Sequence, residues 1–271
     1  GPAEEFDTTS LTRHMTGRDV PEHPPNALIE TPETLMQVRN LNKEGSFYDV
    51  SFDIRKGEVL GITGLLGSGR TSLAKALFGL VTPDKGQINL NGRPIPLGDP
   101  IAAASSQIWY VPEDRLTEGL FLTQSIIRNV AIGRLDHHDK YGFLDLPSLF
   151  SDASKWSNRF KVKTPSVEAP VQSLSGGNQQ RVVLARWLAR APLVLILNGP
   201  SVGVDVGSKS DIHDIIRDLA SSGLGVVVIS DDLPELLTTC HRILVMRMGK
   251  IIDEVGAGTV TEEELAYKLA S

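Results

Sequence analysis

Short apolar runs and longer amphipathic stretches alternate along most of this chain. Short apolar runs bounded by turn residues are typical of strands, and apolar residues three or four positions apart are typical of helices. The predicted strands are 35–41, 47–54, 87–96 with a hairpin at Asn91-Gly92, 108–111, 193–197, 225–229 and 243–246. The predicted helices are 125–132, 147–160, 177–190, 208–220, 233–239 and a capped terminal helix at 261–270. Alternating strands and helices on both sides of a helical block predict an α/β fold. We expect a parallel-sheet core, an antiparallel β subdomain and an inserted helical subdomain at about 113–190.

The first residues of the chain do not share this pattern. Pro21, Pro24 and Pro25 lie among charged residues, which is the composition of a linker. Residues 9–16 predict a short helix that is a weak echo of the terminal helix at 261–270. We therefore expect residues 1–27 to be the tail of a preceding, similar domain followed by a proline-rich linker. Residues 28–271 are then one folded domain.

A glycine-rich stretch at 64–72, GLLGSGRTS, stands between an apolar run and a helical segment. A strand, a tight loop and a helix in this order aim several backbone N–H groups at an anion, with the positive end of the helix dipole behind them. The phosphate-loop pattern G-x-x-x-x-G-K-[ST] is matched at Gly64, Gly69 and Thr71, with Arg70 in place of the lysine. The alternative is a tight turn without a ligand. The stretch predicts a phosphate site of nearly standard form.

Composition narrows the choice of partners. The chain has 27 basic and 33 acidic residues and a net charge of −6, which argues against a nucleic-acid partner. The single cysteine, Cys240, excludes an internal disulfide framework. No apolar run approaches the ~18 to 20 residues needed to cross a bilayer. We therefore expect any membrane role to depend on a partner.

A second glycine motif opens the helical segment that begins near residue 177. The stretch LSGGNQQR at 174–181 places a serine and two glycines at the start of a helix, about 100 residues after the phosphate loop. Taken alone, this is as consistent with a helix cap as with a binding motif. Together with the loop it resembles the signature sequence of the ABC ATPases, and the resemblance covers residues 35–271.

More narrowly, the chain resembles the second nucleotide-binding half of the tandem ATPases that drive bacterial monosaccharide importers of the ribose, galactose and xylose type. The matching segments are GSGRT at 67–71, VPEDR at 111–115, LSGGNQQ at 174–180 and GVDVG at 203–207. Residues 10–18 are similar to the way the first half of those proteins ends, which supports the interpretation of 1–27.

The resemblance implies roles for individual residues, with ATP and Mg²⁺ as cofactors bound weakly or in an altered way. Arg70 keeps the charge of the lysine but has a planar fork that is not equivalent to it. Thr71 is expected to hold Mg²⁺, and Glu113 is a second candidate metal ligand at the place of the usual nucleotide-sensing glutamine. The residues expected to bind nucleotide in this chain's own site are Gly64, Gly67, Ser68, Gly69, Arg70, Thr71, Ser72 and Glu113. Those expected to complete a partner's site are Leu174, Ser175, Gly176, Gly177 and Asn178, with Asp205.

Three departures from the family pattern bear on catalysis. Asn198 stands where an aspartate would hold Mg²⁺, and Gly199 stands where a glutamate would polarise the attacking water. Asp231 replaces a histidine that would contact the γ-phosphate, and we expect it to point away because it would repel that phosphate. These are degenerate catalytic positions, so no catalytic residue is assigned. The isolated domain is predicted to hydrolyse ATP weakly or not at all.

The resemblance implies an energy-coupling ATPase domain of a carbohydrate importer, peripheral at the cytoplasmic face of the bacterial inner membrane. Its expected partners are the first nucleotide-binding domain of the same polypeptide or a dimer mate, membrane permease subunits and, indirectly, a sugar-binding protein. One alternative is a non-transport ABC protein in translation or DNA repair, which would need basic surfaces or long coiled-coil insertions. The other is a regulatory nucleotide-binding module without turnover.

Overall fold

A six-stranded sheet forms the centre of the molecule in the computed structural model, which describes residues 33–140 and 142–270. Its strand order is β12-β11-β3-β10-β9-β6, and all neighbours are parallel except β11 and β12. The strands of this sheet are β3 Val59–Gly64, β6 Ile108–Val111, β9 Val194–Asn198, β10 Gly225–Ile229, β11 Arg242–Arg247 and β12 Lys250–Gly256. The carboxyl ends of the parallel strands meet at one edge, which is where such sheets bind ligands.

A second, antiparallel sheet has the strand order β2-β1-β4-β5. Its strands are β1 Thr34–Lys43, β2 Phe47–Arg55, β4 Lys85–Leu90 and β5 Arg93–Ile95. The turn between β4 and β5 has φ of 49° at Asn91 and 73° at Gly92, the left-handed pair that a two-residue hairpin requires. The predicted hairpin and the predicted antiparallel sheet are therefore confirmed. A two-stranded ribbon pairs β7 Asp139–Lys140 with β8 Phe143–Leu144.

Eight α-helices accompany the sheets within the described part of the chain. They are α1 Arg70–Leu77, α2 Pro100–Ser105, α3 Ile126–Ala131, α4 Leu146–Arg159, α5 Gly176–Leu188, α6 Val206–Ser221, α7 Leu233–Thr239 and α8 Glu262–Ala270. Short 3₁₀ segments occupy Ile132–His138, Val171–Ser173 and Ala257–Thr259, and a π-helical turn occupies Arg115–Gly119. Each of these helices is too short or too polar to cross a bilayer.

The parallel strands are buried on both faces because α3, α5 and α6 cover one side, whereas α1 and the antiparallel sheet cover the other. In β9, Leu195 and Leu197 join the apolar cluster that contains α3, α5 and α6, whereas Val194 and Ile196 join the cluster that contains α1 and the antiparallel sheet. Alternate residues of one strand thus contribute to two cores, as the period of a strand requires. This packing holds the carboxyl ends of the strands in a fixed array.

Some elements were absent from the sequence prediction. Strand β12 has charged residues and lies at an edge of the sheet, so its apolar pattern is weak. Helix α2 has only six residues, and Asp99 stabilises it by accepting hydrogen bonds from Ile101 N and Ala102 N. The predicted helix at 125–132 begins at Ile126 and continues as a 3₁₀ helix to His138. The predicted front helix at 9–16 lies outside the described residues.

Candidate nucleotide site

The glycine-rich loop connects β3 to α1 through two left-handed glycines. Gly67 has φ of 82° and Gly69 has φ of 91°, a region that L-residues rarely adopt. A Cβ atom on Gly69 would lie 2.3 Å from the carbonyl oxygen of Ser46, so only glycine fits there. A Cβ atom on Gly67 would meet no atom within 4 Å, which leaves space in front of the loop. The backbone therefore folds over an open concave surface.

The residues of this concave surface fit a phosphate chain. The loop and α1 border a cavity of 330 Å³, which also reaches Gly45, Ser46, Glu113 and Asp231. The hydroxyl oxygen of Ser68 is buried in the loop and has no hydrogen-bond partner among the described residues. Thr71 and Ser72 stand in the first turn of α1, where backbone N–H groups have no partner inside the helix. Unpaired donors at a helix N-terminus are what an anion requires.

Arg70 and Asp231 form an ion pair at this cavity. The Nη1 atom of Arg70 donates to the carbonyl oxygen of Gly64, and its Nη2 atom lies 3.1 Å from Oδ2 of Asp231. The expectation that Asp231 points away from the loop is wrong. Strand β10 is the parallel neighbour of β3, so the residues that follow β10 and the loop that follows β3 come together. The guanidinium then attracts the carboxylate that a phosphate would repel.

Asn198 ends β9 beside Tyr110 and Glu113. Its Nδ2 atom lies 3.4 Å from Oε2 of Glu113 and 3.4 Å from the hydroxyl oxygen of Tyr110. Burial raises the pKa of Tyr110 to about 12, which keeps its hydroxyl protonated well above neutral pH. These side chains line a second cavity of 480 Å³ that shares Thr71 and Glu113 with the loop cavity.

The fit of this region to Mg²⁺ is partial. Thr71 and Glu113 offer a hydroxyl and a carboxylate, which are the oxygen ligands that Mg²⁺ prefers. Asn198 offers a neutral amide whose nitrogen faces Glu113, so it supplies no charge. Within the described ranges, no cluster of three or more histidine, cysteine, aspartate or glutamate side chains could hold a metal. Thr71 and Glu113 line both cavities and are the expected side chains that could hold the ion there.

Gly199 follows Asn198 in a conformation that disfavours any side chain. Its φ is 58°, and its N–H donates to the carbonyl oxygen of Ile229 at 2.8 Å. A Cβ atom would lie 2.8 Å from Cγ2 of Val202 and 3.0 Å from Cγ of Glu113. The position therefore carries no side chain that could act as a base, and the turn around it favours glycine.

The signature motif forms the first turn of α5 on a different part of the surface. Ser175 is the exposed N-cap residue, and its Oγ accepts a hydrogen bond from Nδ2 of Asn178 at 2.9 Å. A Cβ atom on Gly176 would lie 2.5 Å from the carbonyl oxygen of Gly203, and one on Gly177 would lie 2.3 Å from Cβ of Ser208. Both glycines are thus required by close packing against the segment that begins α6.

Asp205 caps α6 in this structure. Its carboxylate accepts a hydrogen bond from the backbone N–H of Ser208 at 3.0 Å. This bond holds the pKa of Asp205 below its usual value, since it stabilises the charged form. Neither Asp205 nor residues 174–178 line either cavity of the loop region, whereas 67–72, Glu113 and Asp231 come together there.

Arg115 connects three parts of the site, a role that the sequence analysis missed. Its Nη1 donates to the carbonyl oxygen of Val202, its Nη2 donates to that of Gly203 at 2.9 Å, and its Nε lies 3.4 Å from Oε1 of Gln179. Burial lowers the pKa of the guanidinium, which is only 9% exposed. Its partners lie 64 to 88 residues further along the chain, so no local pattern could identify them.

The chain is similar in sequence to known ATP-binding proteins of transporters. The sequence profile of the ABC transporter family matches residues 47–202. The ribose import ATP-binding protein RbsA 2 of Streptomyces avermitilis is 40% identical over 264 residues, which are 97% of this chain and 52% of that protein. RbsA 3 of Rubrobacter xylanophilus is 42% identical over 265 residues, which are 98% of this chain and 52% of that protein. The chain thus spans about half the length of these curated relatives.

Solved structures share the fold. A nucleotide-free ATP-binding cassette from an ABC transporter superposes with a TM-score of 0.72 at 24% identity, covering 88% of this chain and 96% of that one. The ATP-binding cassette MJ0796 bound to ADP and Pi gives a TM-score of 0.69 at 21% identity, covering 82% of this chain and 99% of that one. The predicted α/β fold with its parallel core and antiparallel sheet is confirmed. Because family profile, relatives and fold agree, the chain belongs to the ABC transporter family and is one of its ATP-binding cassettes.

Proposed function

We propose that this chain is the ATP-binding, energy-coupling domain of a bacterial carbohydrate importer, peripheral at the cytoplasmic face of the inner membrane. Relatives named as ribose import ATP-binding proteins support this, at about 40% identity over nearly the whole chain. The chain matches about half of those proteins. This half-length match supports the proposal that the chain is one of two tandem nucleotide-binding domains. The proposal that it is the second, with residues 1–27 as the tail of the first, rests on the resemblance of residues 10–18 to the end of a first half.

Its own nucleotide site is degenerate in this proposal. The observation that carries this is Gly199, because a general base contributes roughly 10²–10⁴-fold to a rate and glycine has no side chain to provide one. Asn198 adds no charge for Mg²⁺, and Asp231 is paired with Arg70. The site binds ATP and Mg²⁺ weakly or in an altered way and hydrolyses ATP slowly or not at all.

The signature motif acts on the partner. Residues 174–178 keep the family pattern, and Ser175 is exposed at the positive end of α5. A head-to-tail pairing of two cassettes presents this helix start to the phosphate loop of the other domain. This chain thereby completes the competent site of the first nucleotide-binding domain or of a dimer mate.

The test is the ATPase rate of the complete importer, reconstituted with its permease. Ser175→Arg places a bulky cation at the start of α5 and is expected to lower the rate at least tenfold. The matched control is Ser222→Arg at an exposed serine just after α6, which is expected to leave the rate unchanged. An unchanged rate in Ser175→Arg would favour a regulatory module that never contributes to turnover.

The hydrolytic weakness of this domain is tested separately. The 271-residue chain is assayed for phosphate release with Mg²⁺ and ATP under multiple-turnover conditions. We expect a rate close to the background of a sample without protein. Robust Mg²⁺-dependent turnover by the chain alone would contradict the degenerate site, although the role of the signature motif would stand.

An apolar groove beside α3 is the proposed contact with the permease. It has a volume of 440 Å³. Its lining residues are Phe121, Gln124, Arg128, Ala131, Ile132, Leu135, Leu144, Leu146, Leu149 and Phe150. Phe121 is 52% exposed and Ile132 is 42% exposed, an arrangement suited to the apolar face of a short helix.

Phe121→Asp is expected to weaken copurification with the permease. Tyr267→Asp, at an exposed aromatic residue of α8, is the control.

A further inference from the structure

The ion pair between Arg70 and Asp231 lies at the phosphate loop, where it also bears on which nucleotide the degenerate site binds. The guanidinium is held from two sides, by the carbonyl oxygen of Gly64 and by Oδ2 of Asp231 at 3.1 Å. The side chain of Arg70 is 13% exposed and that of Asp231 is 75% exposed. Asp231 therefore lies at the mouth of the cavity and Arg70 lies inside it.

The charges that line the cavity are unfavourable for a polyphosphate. Twelve residues border it, and the ionisable ones are Arg70, Glu113 and Asp231. One cation and two carboxylates leave a net charge of −1. The attraction for phosphate thus depends on the backbone N–H groups of the loop and on the helix dipole, which act at the inner end of the cavity.

The position of Asp231 decides which phosphate meets its negative charge. In a phosphate loop, the backbone cradles the α- and β-phosphates, and the side chain at position 70 of this chain reaches toward the β- and γ-phosphates. Arg70 has five N–H donors, so it can contact the β-phosphate while it stays paired with Asp231. A γ-phosphate would be placed beside the carboxylate that already occupies Nη2. A diphosphate avoids this contact.

We propose that this phosphate loop prefers a nucleoside diphosphate to the triphosphate, and that Asp231 is the residue that sets the preference. The inference rests on the proposed degenerate site, because a site that need not hydrolyse ATP can retain a carboxylate near the terminal phosphate. The side chain of Asp231 is 75% exposed, and the surrounding water weakens its repulsion of a phosphate. We therefore expect about a tenfold effect on affinity, which shrinks as the salt concentration is raised.

The experiment measures the equilibrium dissociation constants of ADP and ATP for the 271-residue chain in a buffer with a chelator of divalent cations. The wild-type chain is expected to bind ADP about tenfold more tightly than ATP. Asp231→Asn keeps the size of the side chain and removes its charge. It is expected to increase the affinity for ATP about tenfold and to change the affinity for ADP less than about twofold.

A matched control changes the net charge by the same amount elsewhere. Asp218→Asn, at an exposed position of α6, is expected to change neither constant. Arg70→Gln removes the guanidinium and is expected to weaken both nucleotides. Thermal unfolding of each variant checks that it is folded.

Two results would overturn the proposal. One is equal affinity of the wild-type chain for ADP and ATP. The other is an equal loss of affinity for both nucleotides in Asp231→Asn, which would mean that Asp231 only positions Arg70. Phosphate release is recorded in parallel with Mg²⁺. Turnover by the wild-type chain contradicts the degenerate site, whereas equal affinities without turnover contradict the diphosphate preference alone.

Discussion

Gly199→Glu introduces the residue type that the family uses as a base, and we predict that it does not restore hydrolysis. The backbone at Gly199 has φ of 58°, which costs an L-residue about 1–2 kcal/mol. A Cβ atom there lies 2.8 Å from Cγ2 of Val202 and 3.0 Å from Cγ of Glu113, so both neighbours must move. This crowding adds ~1 kcal/mol, since overpacking typically costs about 1–3 kcal/mol and both neighbours are partly exposed. The new carboxylate also faces Glu113, a second negative charge.

The expected result is a loss of about 2–3 kcal/mol in the free energy of unfolding, with no gain in ATPase rate. Gly199→Ala isolates the backbone and Cβ effects from the carboxylate and should lose nearly as much. Gly92→Ala is the matched control, because Gly92 has φ of 73° but no atom within 4 Å of its Cβ position. It should lose only the backbone part, about 1–2 kcal/mol.

Urea unfolding of the four proteins supplies these free energies, provided that the slopes of the transitions agree. Phosphate release with Mg²⁺ and ATP supplies the rates. The reasoning is refuted if Gly199→Ala costs no more than Gly92→Ala, because the turn would then accept a side chain. It is equally refuted if Gly199→Glu hydrolyses ATP faster than the wild-type chain.

Three further predictions concern Arg115, the start of α5 and the buried Glu235 of α7. Arg115→Gln leaves two backbone carbonyl groups without their charged donor and should cost about 2–4 kcal/mol in urea unfolding, with Arg115→Lys losing less. Gly177→Ala brings a methyl group 2.3 Å from Cβ of Ser208, so it should displace the start of α5 and lower the ATPase rate of the complete importer, whereas Gly92→Ala should not. Burial raises the pKa of Glu235, but hydrogen bonds from His213, Ser230 and Ser201 outweigh it and leave the pKa below the usual 4.5. The carboxylate therefore stabilises the fold above pH 4.5, and this stabilisation is lost as the pH falls through the lower folded value. The free energy of unfolding of Glu235→Gln should fall less on acidification than that of the wild-type chain. An equal fall in both proteins would contradict the lowered pKa of Glu235.

The amino-acid sequence by itself determined the local features of this protein. The glycine loop, the Asn91-Gly92 hairpin and the capping of α8 by Thr261 depend on residues close together in the chain, whose backbone preferences select one conformation. The unbroken apolar runs of the parallel strands predicted that these strands are buried on both faces. These features were sufficient to predict the α/β fold and the place of the nucleotide site.

Only the tertiary structure decided how distant segments meet at that site. Arg70 and Asp231 are 161 residues apart, and they pair because β3 and β10 are neighbours in the sheet. Arg115 reaches the turn after β9 and the start of α5 only when β6 and β9 are paired. The backbone of Gly199 is bonded to Ile229 of β10, and its Cβ position is crowded by Glu113, which lies 86 residues earlier in the chain. Contacts of this kind depend on the order of strands in the folded sheet, so the orientation of Asp231 could not be inferred from its place in the chain.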